Sequence, residues 1–186
     1  GSGVIVYLHG FNSSPQSHKA QVLARYLAAR GLGAHYACPA LPAPAADAIA
    51  AVEALMARHP GAQFCFAGSS LGGYYATWLA EKHGLKAALL NPAVRPYELL
   101  SAHVGVQQNL YTGERYEFTA RYVEELRQLE VATVTPARYL LLAATGDEVL
   151  DYRSAVARYR GCTQIVIDGG DHGLSDFAEH VDAVLE

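Results

Sequence analysis

The chain alternates between short apolar runs and longer segments in which apolar residues recur every three or four positions. Short runs rich in β-branched residues predict buried strands, and the longer segments predict amphipathic helices. The predicted strands cover residues 4–8, 34–38, 63–67, 86–90, 138–144 and 163–167. The predicted helices cover residues 17–30, an alanine-rich stretch ending near 59, and residues 71–83, 115–130 and 176–186.

Strands that alternate with helices in this way form βαβ units, which build a mostly parallel sheet with helices on both faces. We therefore expect an α/β fold with about six strands, in a single domain over residues 1–186. Residues 93–136 interrupt the alternation, with one predicted helix near their end. Because so long a segment inside a compact domain is usually a functional insertion, we expect it to form a small cap over a site.

Composition narrows the classes of partner. The formal net charge is −4 and like charges form no block, so we expect neither nucleic acid nor anionic lipid as a partner. No apolar run approaches the roughly 18 residues of a membrane-spanning helix, and no signal-peptide pattern is present, which predicts a soluble cytoplasmic protein. Cys38, Cys65 and Cys162 lack the spacing of a zinc site or a disulfide framework, so we expect no bound metal. Oligomeric state has no signature in the pattern.

Gly68-Ser69-Ser70-Leu71-Gly72 fits the pattern G-x-S-x-G, between a predicted strand and a predicted helix. In such a nucleophile elbow the serine occupies a strained turn, and a Cβ at either glycine would strike the neighbouring strand or helix. An ordinary glycine-rich turn produces the same five letters by chance, but the strand-turn-helix context favours the elbow. We predict Ser70 as a nucleophile, with Gly68 and Gly72 as the elbow glycines.

A serine hydroxyl is a poor nucleophile unless a base accepts its proton, so a catalytic site also requires a histidine beyond a later strand. Two histidines follow at suitable positions. His172 lies in a glycine-rich loop directly after the last predicted strand, whereas His180 lies within the predicted terminal helix. The position after the last strand favours His172 as the general base.

The acid that orients the histidine is expected at the end of the preceding strand. Asp147 occupies that position, in the chain order serine, aspartate, histidine. Glu148 and Asp151 lie close enough to compete, although Asp151 also suits the cap of a helix that begins near Tyr152. Asp171 adjoins the predicted base, but neighbouring side chains on a loop usually diverge, so it is a secondary candidate.

An oxyanion formed during acyl transfer needs two hydrogen-bond donors. Gly10, after the first strand, lets the backbone turn so that the Phe11 N–H can face the substrate, while Leu71 N–H at the start of a helix supplies the second donor. Asn12 is a candidate for the pocket rim, although its residue type equally suits a turn. Tyr74 lies on an aromatic helix face that usually belongs to a core, and it is a candidate for lining an acyl pocket.

Five stretches of the sequence together resemble the YqiA-type esterases, small proteins of the α/β-hydrolase superfamily. They are Tyr-Leu-His-Gly-Phe-Asn-Ser-Ser-Pro at 7–15, the elbow and its helix at 68–79, Asn-Pro-Ala-Val-Arg-Pro at 91–96, Thr-Gly-Asp-Glu-Val-Leu-Asp-Tyr-Arg at 145–153, and Gly-Gly-x-His at 169–172. The resemblance implies an α/β-hydrolase fold and the same three catalytic residues. It further implies esterase activity on short acyl esters, without a metal or an organic cofactor.

The residues and the resemblance together predict a serine hydrolase that cleaves a small-molecule carboxylic ester through an acyl-serine intermediate. A thioesterase or an acyltransferase with the same three residues is the alternative among enzymes. A non-catalytic binding protein on the same scaffold is the alternative outside them, because a fold does not determine function.

Overall fold

The computed structural model describes residues 3–174 and 177–179. Within these residues, six parallel strands form one sheet in the order β2-β1-β3-β4-β7-β8, and β5 and β6 form a separate antiparallel hairpin. The strands of the sheet are β1 (Gly3–Leu8), β2 (Tyr36–Ala37), β3 (Gln63–Ser69), β4 (Ala87–Leu90), β7 (Tyr139–Ala144) and β8 (Thr163–Ile167). The hairpin strands are β5 (Gly105–Gln108) and β6 (Arg115–Phe118).

The α-helices connect these strands. They are α1 (His18–Ala29), α2 (Ala45–Ala57), α3 (Leu71–His83), α4 (Pro96–Leu100), α5 (Ala120–Gln128) and α6 (Tyr152–Arg158). Short 3-10 turns occupy Gly33–His35, Ser101–His103, Pro136–Arg138 and Phe177–Glu179. In the described part of the chain, no helix combines the length and the apolar character needed to cross a bilayer.

Two hydrophobic clusters lie on opposite faces of the sheet, because successive side chains of a strand point to opposite sides. On one face, Tyr7 of β1 and Leu142 of β7 pack with Leu23 and Leu27 of α1. The other face carries the larger cluster, which contains apolar residues of α2, α3 and α5. Burial on both sides explains why the central strands consist of nearly continuous apolar runs.

Strand register brings the functional segments to one edge of the sheet. Leu8 of β1 pairs with Gly68 of β3, and Ser69 pairs with Leu90 of β4. Leu90 in turn pairs with Leu142 of β7. The carboxyl ends of the strands are therefore nearly level, and the segments that follow them emerge side by side, where parallel sheets bind ligands.

The insertion departs from the sequence prediction. The helix predicted over residues 115–130 is wrong at its start, because Arg115–Phe118 is strand β6 and α5 begins only at Ala120. Arg-Tyr-Glu-Phe alternates polar and aromatic residues, the period of a strand, and Gly113 closes the preceding turn with a φ of 74°.

Two further predictions differ at the ends of elements. The strand predicted over residues 34–38 is reduced to Tyr36–Ala37, because Gly33–His35 forms a 3-10 turn that takes up its first part. Most of the helix predicted over residues 176–186 lies outside the described residues. The described part of that range, Phe177–Glu179, forms a 3-10 turn.

Candidate active site

Ser70 occupies a sharp turn between β3 and α3. Its φ of 55° and ψ of −118° are strained for a residue with a side chain. The surrounding backbone holds this conformation, because Ser70 N–H donates to the Leu90 carbonyl at 3.1 Å and the Ser70 carbonyl accepts from Ala93 N–H at 2.9 Å. A Cβ at Gly68 would lie 2.3 Å from the Gly72 carbonyl oxygen, and one at Gly72 would lie 1.9 Å from the Leu8 oxygen. Only glycine fits at either position.

Asp147 and His172 meet between the ends of β7 and β8. The His172 Nδ1 lies 2.9 Å from Asp147 Oδ2. The other carboxylate oxygen accepts hydrogen bonds from the N–H groups of Val149 at 2.9 Å and Leu150 at 2.8 Å. Because an ionised carboxylate can only accept, Nδ1 carries a hydrogen, and Nε2 of a neutral ring keeps its lone pair.

The electrostatics of Asp147 support an ionised carboxylate. Burial alone would raise its pKa, but the hydrogen bonds from the His172 ring and from the N–H groups of Leu150 and Val149 outweigh burial. The pKa of Asp147 therefore lies below its ordinary value, and the side chain carries a full negative charge at neutral pH.

Ser70 and His172 line the same cavity, whose volume is about 460 Å³. It lies between the edge of the sheet and the insertion. Apolar residues of the insertion that line it are Ala93, Pro96, Leu99, Leu100, Leu110 and Tyr111. Within the described residues, no hydrogen bond joins the Ser70 hydroxyl to the His172 ring.

Both predicted oxyanion donors lie at this cavity. Phe11 and Leu71 line it, and a Cβ added to Gly10 would lie 3.5 Å from Ser70 Cβ, so the loop after β1 runs directly beside the serine. Leu71 is the first residue of α3, whose positive dipole end therefore faces the cavity. Among the described residues, neither N–H donates to a protein acceptor.

The two candidates for the pocket differ in their placement. Tyr74 is only 5% exposed, and its hydroxyl donates to the Leu126 carbonyl of α5 at 2.6 Å, so it is a core residue and the pocket assignment is corrected. Asn12 lines a smaller neighbouring cavity of about 220 Å³, which shares Gly10, Phe11, Ser13 and Leu71 with the first. Its side chain accepts from the Tyr116 hydroxyl and donates to Gln107, which ties the loop after β1 to the β5–β6 hairpin.

The competing acidic residues have other partners. Asp151 accepts from Arg153 N–H at 2.9 Å and caps α6, as the sequence indicated. Glu148 accepts the backbone N–H of His172 at 2.9 Å and thus holds the histidine's main chain rather than its ring. His180 lies outside the described residues.

Sequence reasoning missed two residues beside the histidine loop, Asn91 and Lys19. Lys19 is only 9% exposed, and its Nζ donates to the Gly173 carbonyl at 3.0 Å. Burial lowers the pKa of Lys19 to about 8, although the nearby carboxylates Asp171 and Asp147 act in the opposite direction. A signal was available, because Lys19 stands four residues before Leu23 on the apolar stripe of α1.

Solved structures share the fold across nearly the whole chain. A protein of Agrobacterium vitis S4 described as a hydrolase matches with a TM-score of 0.76 and 16% identity, over 100% of this chain and 88% of that one. The alpha/beta hydrolase domain-containing protein 10 of mouse gives 0.71 and 16%, over 100% and 90%. The esterase domain of a Rhodothermus marinus protein gives 0.69 and 20%, over 99% and 85%. The α/β-hydrolase fold predicted from the sequence is thereby confirmed.

The family assignment rests on a separate comparison. The sequence model of one protein family matches residues 4–186. The match therefore includes every strand end that carries a candidate site residue. The resemblance to the YqiA-type esterases is confirmed by this match. The chain belongs to the uncharacterised protein family UPF0227.

Proposed function

We propose that the protein is a serine hydrolase that cleaves carboxylic esters, with Ser70 as nucleophile, His172 as general base and Asp147 as the orienting acid. One observation carries the proposal. A strained serine and a histidine that is hydrogen-bonded to a buried carboxylate line the same cavity. Such an arrangement supplies a nucleophile, a base in the correct tautomer, and a charge that stabilises the protonated base.

The first chemical step forms the acyl-serine. Ser70 Oγ attacks the ester carbonyl carbon as its proton passes to His172 Nε2. The carbonyl oxygen becomes an oxyanion, which accepts hydrogen bonds from the N–H groups of Phe11 and Leu71. When the tetrahedral intermediate collapses, the C–O bond to the alcohol breaks and the protonated His172 returns the proton to the leaving oxygen.

The second step regenerates the enzyme. A water molecule gives a proton to His172 and attacks the acyl carbon, and the departing Ser70 oxygen recovers that proton as the carboxylic acid leaves. The hydrogen bond between serine and histidine in such enzymes often closes only when substrate is bound, so an open arrangement in the free protein is compatible with this role.

The cavity supports a small, mostly apolar ester as the substrate. Its volume is about 460 Å³ and the insertion contributes leucine and tyrosine side chains to it. The similarity in fold to an esterase domain agrees with this substrate class. We therefore propose short-chain acyl esters, with thioester hydrolysis or acyl transfer to an alcohol as the competing reactions of the same machinery.

Labelling with a fluorophosphonate tests the proposal. The intact protein should form one covalent adduct, and Ser70→Ala should abolish it. Ser69→Ala is the matched control and should keep the label, because Ser69 is the buried last residue of β3 and does not occupy the strained turn. A label that survives Ser70→Ala would overturn the assignment of the nucleophile. Rates on p-nitrophenyl esters of graded length, on thioesters and with alcohol acceptors then separate the three reactions.

A further inference from the structure

The described residues of the loop that carries His172, residues 168–174, form neither a helix nor a strand. Its position therefore depends on hydrogen bonds from other elements. Three successive carbonyl oxygens of the loop, those of Asp171, His172 and Gly173, each accept a bond from a side chain. The donors are Asn91 Nδ2, at 3.1 Å and 2.9 Å from the first two oxygens, and Lys19 Nζ, at 3.0 Å from the third.

Asn91 also binds the strand that leads to the acid. Its Oδ1 accepts the N–H of Ala144 at 2.9 Å, at the end of β7, and its own backbone N–H donates to the Leu142 carbonyl at 2.8 Å. The Ala144 N–H can only donate, so the amide oxygen must face it and the NH₂ group must face the loop. One side chain thus joins the end of β4, the end of β7 and the His172 loop.

The position requires an asparagine for two reasons. Asn91 has a φ of 42°, a left-handed conformation that asparagine tolerates better than most residues. It is also only 3% exposed, so each of its polar atoms needs a protein partner. Only an amide of this length offers one acceptor to the strand and two hydrogens to the loop at the same time.

We propose that Asn91 is a positioning residue that holds His172 against Asp147 and at the cavity. The inference rests on the proposed function, because it assigns Asn91 a part in that reaction. Asn91 is not among the residues that line the cavity, so it acts through the loop and not on the substrate. A displacement of about 1 Å in a catalytic group can lower the rate about 10²-fold. Loss of the Asn91 amide can therefore reduce the rate strongly, although Asn91 does not touch the substrate.

Asn91→Asp is the decisive variant. Aspartate keeps an oxygen for the Ala144 N–H and tolerates the left-handed φ, but an ionised carboxylate cannot donate to the two loop carbonyls. We expect kcat for a short ester to fall about 10²-fold with KM little changed. We also expect the downfield proton resonance of the His172 ring N–H, measured by NMR, to broaden or vanish. Asn91→Gly, which tolerates the same φ and removes both sets of bonds, should give the same two results.

Tyr139→Phe provides the matched control. It removes hydrogen bonds to Thr77 and Glu81 at the opposite end of β7, so it weakens the same strand far from the histidine loop. It should lower thermal stability and leave both kcat and the NMR signal unchanged. The proposal is overturned if Asn91→Asp keeps the rate of the wild type, or loses no more than Tyr139→Phe.

The two proposals fail in different ways. If the wild type neither hydrolyses esters nor takes the fluorophosphonate label, the proposed function fails, and the NMR resonance still reports whether Asn91 positions His172. If the wild type is active and the resonance of Asn91→Asp is unchanged, the function stands and the positioning role is wrong.

Discussion

The carboxyl edge of the sheet and the insertion that covers it are built in different ways. At the edge, Ser70, Asp147 and the His172 loop are fixed by backbone geometry and by buried side chains such as Asn91. The tip of the β5–β6 hairpin instead exposes apolar side chains, and Leu110 is 81% exposed. The groups proposed for the reaction are thus held in place by buried hydrogen bonds, whereas the hairpin side chains proposed to meet the substrate are not held by packing.

The largest expected effect comes from the buried carboxylate of the edge. Asp147→Asn keeps the shape of the side chain but removes the charge and the acceptor that fix the histidine tautomer. We expect kcat to fall about 10⁴-fold while the protein remains folded. Steady-state rates and circular dichroism check this. Asp151→Asn, which alters the cap of α6 and the ion pair with Arg153, is the control, and equal losses in the two variants would refute the role of Asp147.

The elbow gives the largest expected effect on stability. In Gly72→Ala the new Cβ would lie 1.9 Å from the Leu8 carbonyl oxygen, and neither the backbone that carries the Cβ nor the backbone of Leu8 can move away easily. We expect a loss of more than about 4 kcal/mol in the free energy of unfolding, or failure to fold. Gly33→Ala is the control, because its Cβ would meet atoms only at 3.8 Å or beyond. Urea denaturation compares them, and equal stability would contradict the prediction.

Lys19 gives a smaller effect that depends on pH. Its pKa is about 8 in the folded protein, against roughly 10.4 for an unperturbed lysine. Between these values the unfolded chain binds more protons, so this group makes the protein more stable as pH rises. Relative to Lys19→Met, the free energy of unfolding of the wild type should rise between pH 8 and 10 by up to about 3 kcal/mol. Denaturation at several pH values measures it, with Lys82→Met as control for an exposed lysine.

The smallest effect concerns the insertion. Leu110→Ser should leave stability unchanged within about 0.5 kcal/mol, because the side chain is exposed. It should raise KM severalfold for long acyl esters and leave short esters unaffected, since an apolar contact with the chain is lost. Val106→Ser is the control, because Val106 is also exposed on the hairpin but does not line the cavity. If both variants shift KM equally, Leu110 does not contact the acyl chain.

The sequence predicted the sheet and the order of the candidate residues because these depend on local patterns. Runs such as Leu140–Ala144 can only be buried strands in this context, and a residue that follows such a strand must lie at the carboxyl edge. The placement of Ser70, Asp147 and His172 at this edge therefore followed from the predicted strands and their order in the chain.

The hairpin and the hydrogen bonds by which Asn91 joins β7 to the His172 loop, here called the Asn91 bridge, could not be predicted in the same way. Residues 115–118 alternate with the period of a strand, but four residues are too few to distinguish a strand from the start of the helix at 120–128. Pairing with β5 makes them a strand. The hydrogen bonds of Asn91 join positions 53 and 81 residues apart in sequence. Long-range side-chain bonds leave no periodic trace in a single sequence, so the structure was needed to find them.

The residue after Asn91 has a consequence for the ageing of the protein. When an asparagine deamidates spontaneously, the usual route is attack of the next residue's backbone nitrogen on the side-chain carbonyl, which closes a five-membered imide and releases ammonia. Here that nitrogen belongs to Pro92, which carries no hydrogen. The route that would slowly convert residue 91 into aspartate is thus blocked by the very next peptide bond, and the bridge to the histidine loop should outlast that of an Asn-Gly or Asn-Ser pair.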